Sequence, residues 1–299
     1  MQIREFLSKI LPAGWLPYLL HLRPRAWPIV AAHMSVGFFL ANGFHFTPDA
    51  LRRGLLAILA WAVLGNGGTL AINSVFDKDE GDIGYLENPP PLPRHLLAVS
   101  LIFMLAGLPV AALLGYRFLI AYVICLVMSL LYSVPPFRLK ARAGYDVLIN
   151  SAGFGALTLY AGWAAMGREL EPTIVYVVAG FFFLFAGFYP LTQLYQMAED
   201  MRRGDVTLAI LLNRSGALRF AMLVVVVGFS LILIEAGIRF RELRSLGILL
   251  SLALWAILLA SWYIRRNNVD MAFEQRGFYR ALWVWAITDL SVVLAMAPV

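Results

Sequence analysis

Apolar runs of nearly constant length return along the whole chain, and they constrain the fold more than any other feature. Each is about 20 residues long, enough to cross a bilayer. We place nine of them, at 27–46, 53–75, 95–114, 116–134, 146–166, 173–195, 218–236, 244–264 and 279–297. None shows the alternating polarity of a membrane β-strand. Because backbone groups in lipid must be hydrogen-bonded internally, the runs predict helices.

The composition agrees with a protein that crosses the membrane many times. Hydrophobic residues make up 61% of the 299 residues and charged residues 14%, whereas soluble domains carry about 25% charged residues. The chain has a single cysteine, Cys125, which lies inside an apolar run. No intrachain disulfide can form, so cysteine usage does not determine the redox compartment. We predict an all-α polytopic membrane protein with one domain over 1–299, in which 1–26 is an interfacial leader.

The distribution of Lys and Arg predicts the orientation in the membrane. With the N-terminus in the cytoplasm, 17 of the 24 basic residues fall on the cytoplasmic side of the nine spans, as the positive-inside rule requires. The net charge of +6 is thereby explained by topology and does not indicate a nucleic-acid partner. We expect a multi-pass protein of the cell inner (plasma) membrane, with the loops 73–94 and 196–217 in the cytoplasm.

Two acidic segments follow long apolar runs on that side, four spans apart. NSVFDKDEGD begins at residue 73 and QMAEDMRRGD at residue 196. Each opens with an amide, has an aspartate four residues later and ends in Gly-Asp. The matched pairs are Asn73 and Gln196, Asp77 and Asp200, and Asp82 and Asp205. The repeat indicates two related halves, about 27–145 and 146–299, whose acidic ends meet.

The residue types in these segments favour a hard metal ion. Residues four apart share a helix face, so each amide can lie beside its aspartate, and two facing acidic clusters would repel without a cation between them. Neither segment contains Cys or His, so oxygen ligands favour Mg²⁺ together with a phosphate ester. The candidate metal ligands are Asn73, Asp77, Asp79, Asp82, Glu199, Asp200 and Asp205. The alternative is a solvated acidic loop.

In these segments the chain resembles the UbiA-type intramembrane prenyltransferase superfamily. NSVFDKDEGD and QMAEDMRRGDVTLA are similar to its two Asp-rich motifs, YSVPPFRLKARAG at 132–144 to its segment after helix four, and LRPRAWP to its start of helix one. The resemblance implies about nine transmembrane helices around a central cavity. The chain departs from the family where Ser74 follows Asn73 and where Gln196 replaces an aspartate, for which Glu199 and Asp205 would supply the charge.

The resemblance also implies a reaction. It is the Mg²⁺-dependent transfer of a prenyl group, within the membrane, from an allylic prenyl diphosphate to a lipophilic acceptor. The segment YSVPPFRLK favours an aromatic ring, quinone precursor or tetrapyrrole as acceptor. The implied catalytic residues are Asp77 and Asp200, with Tyr132 shielding the allylic cation by its ring face. The implied diphosphate-binding residues are Asn73, Arg23, Arg138, Lys140 and Gln196.

Other functions and roles stay open at this point. A non-catalytic family member would account for Gln196, and a cation-coupled transporter would also need acidic residues, although normally near the bilayer midplane. His33 and His45 are isolated in the sequence, so we expect no catalytic or haem role for them. We place Asp146 at the start of the fifth span, where a carboxylate meets the positive end of a helix. The acceptor, the prenyl chain length and the oligomeric state are not predicted.

Overall fold

The computed structural model describes Pro12 and residues 14–77, 84, 86, 88–239, 242–267 and 270–298, and these ranges contain helices and no β-strand. The all-helical prediction is confirmed. The long helices are α1 (Trp27–Asn42), α2 (Pro48–Asp77), α3 (Leu96–Leu114), α4 (Tyr116–Ser133), α5 (Tyr145–Ala165), α6 (Pro172–Gln193), α7 (Leu208–Arg239), α8 (Glu242–Arg265) and α9 (Met271–Met296). Shorter helical pieces are Leu16–His21, Pro24–Ala26, Leu139–Ala141, Leu194–Gln196 and Met197–Arg203.

Eight helices of the described ranges are long and apolar enough to cross a membrane. The exception among the nine predicted spans is α1, which has 16 residues and is therefore about 24 Å long, shorter than a hydrocarbon core of about 30 Å. Helix α2 begins earlier than the predicted residue 53. Thr47 caps it by accepting a hydrogen bond from the Ala50 N–H at 3.2 Å, and Pro48 follows as the first helical residue.

Helix α7 also begins earlier than its predicted span at 218, because two helical pieces are joined there. Asn213 interrupts the helix with φ 54° and ψ 173°. Its Oδ1 accepts a hydrogen bond from the Gly216 N–H at 3.2 Å. The asparagine therefore caps the apolar helix that follows, and residues from Leu208 to Leu212 form a separate turn ahead of it.

The bundle packs through small residues where helices cross closely. A Cβ atom on Gly37 of α1 would lie 1.9 Å from the Leu159 carbonyl oxygen of α5, and one on Gly162 of α5 would lie 1.9 Å from the Met34 carbonyl oxygen. Any larger side chain would force α1 and α5 apart. Such backbone contact supplies packing in lipid, where the hydrophobic effect does not drive helices together.

Two large clusters of buried apolar side chains fill the bundle, and a smaller third one contains Leu22, Ala71 and Leu96. One large cluster contains residues of all five helices from α1 through α5, around Trp61 and Phe118. The other contains residues of α1, α5 and the four helices from α6 through α9, around Phe181, Trp255 and Trp285. Helices α1 and α5 contribute to both large clusters. They therefore lie between the two parts of the bundle, and the division into related halves stays a prediction.

Two helices contain wider turns in their middle. Residues Leu59–Gly65 of α2 and Ser151–Thr158 of α5 are π-helical. The two segments are joined, because the Trp61 Nε1–H donates a hydrogen bond to Thr158 Oγ1 at 3.0 Å. Such segments inside α-helices are frequent at functional sites, and both of these border the same cavity.

Candidate active site

A cavity of about 370 Å³ lies among helices α1 through α6 and α9. The charged residues that line it, within the described part of the chain, are Arg23, Asp77, Lys140, Glu199 and Arg203. All five lie just before α1, at the C-terminal end of α2, or in the segments that follow α4 and α6, and these positions share one side of the bundle. We call this charged end the mouth. The aromatic residues deeper in the cavity include Trp61, Tyr122, Phe154, Phe188 and Trp285.

The first acidic segment places Asn73 and Asp77 at the mouth, on the last turns of α2. Both line the cavity, as expected for residues four apart on one helix face. The Ser133 hydroxyl at the end of α4 donates a hydrogen bond to Asn73 Oδ1, and Lys140 forms an ion pair with Asp77. The end of α4 and the loop after it therefore fix the position of this segment.

The second acidic segment is built differently from the first. Helix α6 ends at Gln193, a single 3₁₀ turn follows, and Asp200 belongs to the new helix Met197–Arg203. We expected Gln196 and Asp200 to share the last turn of one helix, but the tighter turn breaks the α-helical spacing at Gln196. Gln196 and Glu199 line the cavity, whereas Asp200 is buried beside it.

Arg203 is the arginine of the second segment that lines the cavity. Its Nη2 lies 2.5 Å from Asp200 Oδ1, and its guanidinium also lies 3.6 Å from Glu199 Oε1 and 3.6 Å from Asp205 Oδ2. A helix brings residues three and four apart together, so the spacing of Glu199, Asp200 and Arg203 in QMAEDMRR contained this signal. The sequence interpretation nevertheless missed Arg203.

Arg138 joins the two loops that carry the site. Its guanidinium binds Asp205 with both nitrogens, at 2.5 Å and 3.2 Å, and lies 4.0 Å from Asp77. The Val206 N–H donates a hydrogen bond to the Ala141 carbonyl at 3.1 Å. Bidentate contact of this kind fixes geometry as well as charge. Both carboxylate oxygens of the buried Asp205 are bound by Arg138, whereas Asp200 binds Arg203 through Oδ1 alone, so the contacts of Asp205 favour a positioning role over metal ligation.

Two of the predicted diphosphate-binding arginines have left-handed backbones. Arg23 has φ 50° and Arg138 has φ 39°, which costs a non-glycine residue about 1–2 kcal/mol. The side chain of Arg23 lines the cavity and donates to Ser74 Oγ at 3.1 Å and to the Gly84 carbonyl at 3.3 Å. Strained residues of this kind are concentrated at functional sites.

Tyr132 lies on α4 just inside the mouth, where its ring lines the cavity. Its hydroxyl is hydrogen-bonded to the hydroxyl of Tyr189 on α6, which lines the cavity as well. The two phenol rings are 57 positions apart in the chain, so the sequence gave no sign of the pair. Together they form an aromatic wall beneath the charged residues.

Burial changes the protonation of Lys140. Its side chain is almost enclosed, and burial lowers the pKa of Lys140 to about 7, while Asp205 acts to raise it. An ammonium group loses hydration inside a protein. A dianionic or trianionic ligand at the mouth would restore the charged form, because an opposite charge raises the pKa of a lysine.

The remaining sequence predictions fall into two groups. Asp79 and Asp82 lie outside the described residues, so their predicted metal ligation stays a prediction. Asp146 lies in the first turn of α5 as expected. Its Oδ2 also accepts hydrogen bonds from Gln193 Nε2 at 3.1 Å and from the Leu208 N–H at 2.9 Å. This buried carboxylate therefore ties α5 to both sides of the second acidic segment.

Fold and site together define a class: a polytopic helical membrane protein with an aromatic cavity whose mouth carries paired acidic and basic residues. Comparison with known families identifies the family within that class. The sequence model of the UbiA prenyltransferase family matches residues 27–285. The chain belongs to the UbiA prenyltransferase family, and the resemblance drawn from its motifs is confirmed.

Characterised relatives are distant. Chlorophyll synthase of Avena sativa is 27% identical over 53% of this chain and 46% of its own length. The 2-acylphloroglucinol 4-prenyltransferase of Humulus lupulus is 25% identical over 85% of this chain and 65% of its own length. The chain thus spans about half the length of the chlorophyll synthases that it matches.

Solved structures share the fold. A UbiA homolog from Archaeoglobus fulgidus bound to DMAPP and Mg²⁺ superposes with a TM-score of 0.72 at 22% identity, covering 92% of this chain and 98% of that one. A structure of digeranylgeranylglyceryl phosphate synthase gives 0.69 at 17% identity, covering 94% and 98%. At these identities the likeness concerns the fold alone.

Proposed function

We propose that this protein transfers a prenyl group from an allylic prenyl diphosphate to a lipophilic acceptor inside the membrane, with Mg²⁺. The observation that carries the proposal is the polarity of the cavity. Asp77, Lys140, Glu199 and Arg203 line its mouth, and aromatic side chains line its interior. A prenyl diphosphate has the same division, with a highly charged head and an apolar tail. The UbiA homolog of Archaeoglobus fulgidus was solved with such a ligand.

The donor set at the mouth fits magnesium. In the described ranges no three His, Cys, Asp or Glu side chains are arranged as a ready metal site, and Asp77 and Asp200 are each paired with a cation. Mg²⁺ typically takes only one or two carboxylates and completes its shell with water and substrate phosphate. Asn73 and Asp77 would hold it on one side of the mouth, and Gln196, Glu199 and Asp200 on the other. When bound, Mg²⁺ would neutralise the negative charge that develops on the leaving diphosphate.

Binding of the diphosphate would exchange ionic partners at the mouth. Lys140 and Arg203 now bind carboxylates, and both side chains border the space that the diphosphate would fill. Their cations would move to phosphate oxygens as the carboxylates turn to the metal. Arginine suits bidentate phosphate contact and lysine supplies a point charge. Arg23 lies at the same mouth and would add a further positive charge.

The positions of the charged mouth and the aromatic interior fit the following steps of the proposed reaction. The allylic C–O bond breaks, and its electron pair leaves with the diphosphate. The allylic carbon then accepts an electron pair from the acceptor, a new bond forms, and the acceptor loses a proton. The rings of Tyr132 and Tyr189, just inside the mouth, would stabilise positive charge on the allylic carbon through their faces. The aromatic walls exclude water, which would otherwise capture the cation.

The proposed orientation places the mouth in the cytoplasm of the cell, at its inner membrane. It is supported by the bias of 17 of 24 basic residues to that side. In a Cys125→Ser background, a cysteine replacing the exposed Arg202 should react with an impermeant maleimide only after the cells are opened. A cysteine replacing the exposed Arg168, between α5 and α6, is the matched control and should react in intact cells. The reverse pattern would overturn the orientation.

Turnover tests the proposed function directly. Membranes containing the protein should convert geranyl or geranylgeranyl diphosphate into prenylated lipid when Mg²⁺ is present, and EDTA should lower this rate by about 10²-fold or more. Products are identified by mass spectrometry of lipids from cells with and without the gene. A protein that binds prenyl diphosphate but yields no prenylated lipid in either measurement is a non-catalytic family member.

A further inference from the structure

The cavity ends inside the bundle, at four side chains that we call the floor. Trp61 on α2, Met104 on α3, Tyr122 on α4 and Thr158 on α5 are the lining residues of these helices that lie farthest from the mouth. Past the floor the same helices carry buried side chains that do not line the cavity, including Ala57, Ala60, Leu114, Phe118, Ala161 and Ala164. Packed apolar side chains of the described helices therefore lie between the floor and the opposite side of the bundle.

Hydrogen bonds hold the two large rings of the floor in place. Trp61 Nε1–H donates to Thr158 Oγ1 on the facing helix at 3.0 Å, and the Tyr122 hydroxyl donates to the Met104 carbonyl at 2.8 Å. The Trp61 ring also packs edge-on against Phe118 and Tyr122, with ring centroids 5.9 Å and 6.1 Å apart. Moving Trp61 aside would leave its buried N–H without a partner, which costs free energy. The floor therefore resists a ligand that presses on it.

The distance from the mouth to the floor matches a short prenyl chain. Tyr132, just inside the mouth, and Tyr122, at the floor, lie ten residues apart on α4, which is a rise of about 15 Å. Each isoprene unit adds four carbon–carbon bonds of about 1.5 Å each, or about 5 Å of extended chain. The cavity therefore holds about three extended units, and a fourth fits only if the chain bends.

The walls between mouth and floor suit a hydrocarbon chain. Leu70 on α2 and Leu126 on α4 line them. Two hydroxyl groups also lie there, but the Thr69 hydroxyl is hydrogen-bonded to Ser129 Oγ at 3.0 Å, and the Ser129 hydroxyl donates to the Cys125 carbonyl at 2.8 Å. Because the protein satisfies both donors, a prenyl tail can lie against them without leaving a buried donor unpaired.

We infer that Trp61 limits the length of the prenyl donor, and that the donor carries at most about four isoprene units. The inference rests on the proposed function, because it gives the length class of the same diphosphate substrate. Geranyl, farnesyl and geranylgeranyl chains end above the Trp61 ring, whereas the fifth unit of a longer chain meets it. Forcing extra methylene groups into a packed interior should weaken binding about 10-fold or more.

Binding of donor analogues tests the inference without turnover. Geranyl, geranylgeranyl and geranylfarnesyl S-thiolodiphosphates carry two, four and five isoprene units, and their C–S bond resists cleavage. Titration calorimetry of the purified protein in detergent with Mg²⁺ should show the geranylfarnesyl analogue binding about 10-fold or more weakly than the geranylgeranyl analogue. Trp61→Ala should remove this difference, because the smaller side chain leaves space for the fifth unit.

Gly153 offers a second variant that leaves the floor intact. It lines the cavity on α5 between Asn150 and Thr158, and a Cβ atom there would have no neighbour within 4 Å. Gly153→Val therefore adds bulk above the floor without a clash between helices. It should weaken the geranylgeranyl analogue about 10-fold and leave the shorter geranyl analogue unchanged.

Trp255→Ala is the matched control for the loss of a buried tryptophan. Trp255 Nε1–H also donates to a threonine, Thr288, at 3.2 Å, and its ring does not line the cavity. This variant should lose stability as Trp61→Ala does, yet keep the wild-type ratio of the geranylfarnesyl and geranylgeranyl affinities.

Two results would overturn the inference. One is equal binding of the geranylgeranyl and geranylfarnesyl analogues by the wild-type protein, which would mean that the tail does not end at the floor. The other is an unchanged affinity ratio in folded Trp61→Ala. If Trp61→Ala does not fold, undiminished binding of the geranylgeranyl analogue by Gly153→Val overturns it instead. Failure of the wild-type protein to bind any of the three analogues with Mg²⁺ would count against the proposed function.

Discussion

Alanine in place of Asp77 should lower prenyl transfer by about 10²–10³-fold while the bundle still forms. Removing one preorganised electrostatic contact to the developing charge typically has an effect of this size, and losing a metal ion adds to it. Asp77 lines the mouth and is the partner of Lys140. Because burial already lowers the pKa of Lys140 to about 7, the lysine can lose its proton once Asp77 is gone. The stability cost of the substitution is therefore limited.

Asp200→Ala should cause a loss of similar size, since Asp200 belongs to the opposite acidic segment. The matched control is Asp49→Ala. Asp49 also pairs with two arginines, Arg52 and Arg53, but it is exposed and lies at the N-terminal end of α2, away from the mouth. Rates are measured at limiting Mg²⁺ with equal amounts of folded protein. Near-normal rates for both Asp77→Ala and Asp200→Ala would refute the assignment of these carboxylates.

The sequence located the charged end of the cavity because its signals are local. A run of carboxylates directly after an apolar helix stands out against a chain with 14% charged residues, and helical spacing places Asn73 and Asp77 on one face. The same spacing failed at Gln196 and Asp200. One 3₁₀ turn over Leu194–Gln196 separates them from α6, and such a short change in helical geometry leaves no periodicity to detect.

Contacts between residues far apart in the chain could not be predicted from the sequence, for a different physical reason. The partners of Tyr132 and Asn73 are Tyr189 and Ser133, 57 and 60 positions away, and each contact depends on how separate helices pack. In lipid that packing is set by backbone approaches such as the α1–α5 crossing at Gly37 and Gly162. Hydropathy locates helices but carries no information about which faces meet.

His33 is the clearest example of a long-range contact that the sequence did not reveal, and it leads to the second large prediction. The sequence showed an isolated histidine, but its Nδ1 lies 2.9 Å from Asp289 Oδ1 on α9, 256 positions away. Its Nε2–H donates to the Gly155 carbonyl on α5 at 3.2 Å. A carbonyl only accepts, so Nε2 carries a proton, and Nδ1 is hydrogen-bonded to the Asp289 carboxyl group. His33 also stacks on Phe154, which lines the cavity.

Breaking this buried pair should strongly destabilise the protein. His33→Leu leaves the Asp289 carboxyl group buried without its histidine partner. Asp289→Leu leaves the buried His33 Nδ1 without a partner, while Nε2 keeps its bond to the Gly155 carbonyl. Leaving a buried polar group without its hydrogen-bond partner typically costs about 1–3 kcal/mol, and more when the group is charged. The double variant should lose much less than the sum of the single variants, because replacing both members with apolar groups is often close to neutral. Unfolding in mixed detergent micelles titrated with SDS measures all three losses.

Ser35→Ala provides the reference for a single lost hydrogen bond on the same helix. Ser35 Oγ donates to the Ala31 carbonyl at 2.8 Å within α1, so this variant should lose no more than about 1 kcal/mol. If the double variant loses the full sum of the single variants, His33 and Asp289 are not energetically coupled. If the two residues are coupled as expected, the pair holds α1, α5 and α9 together behind the cavity wall. His33 then also fixes the position of Phe154, on which it stacks.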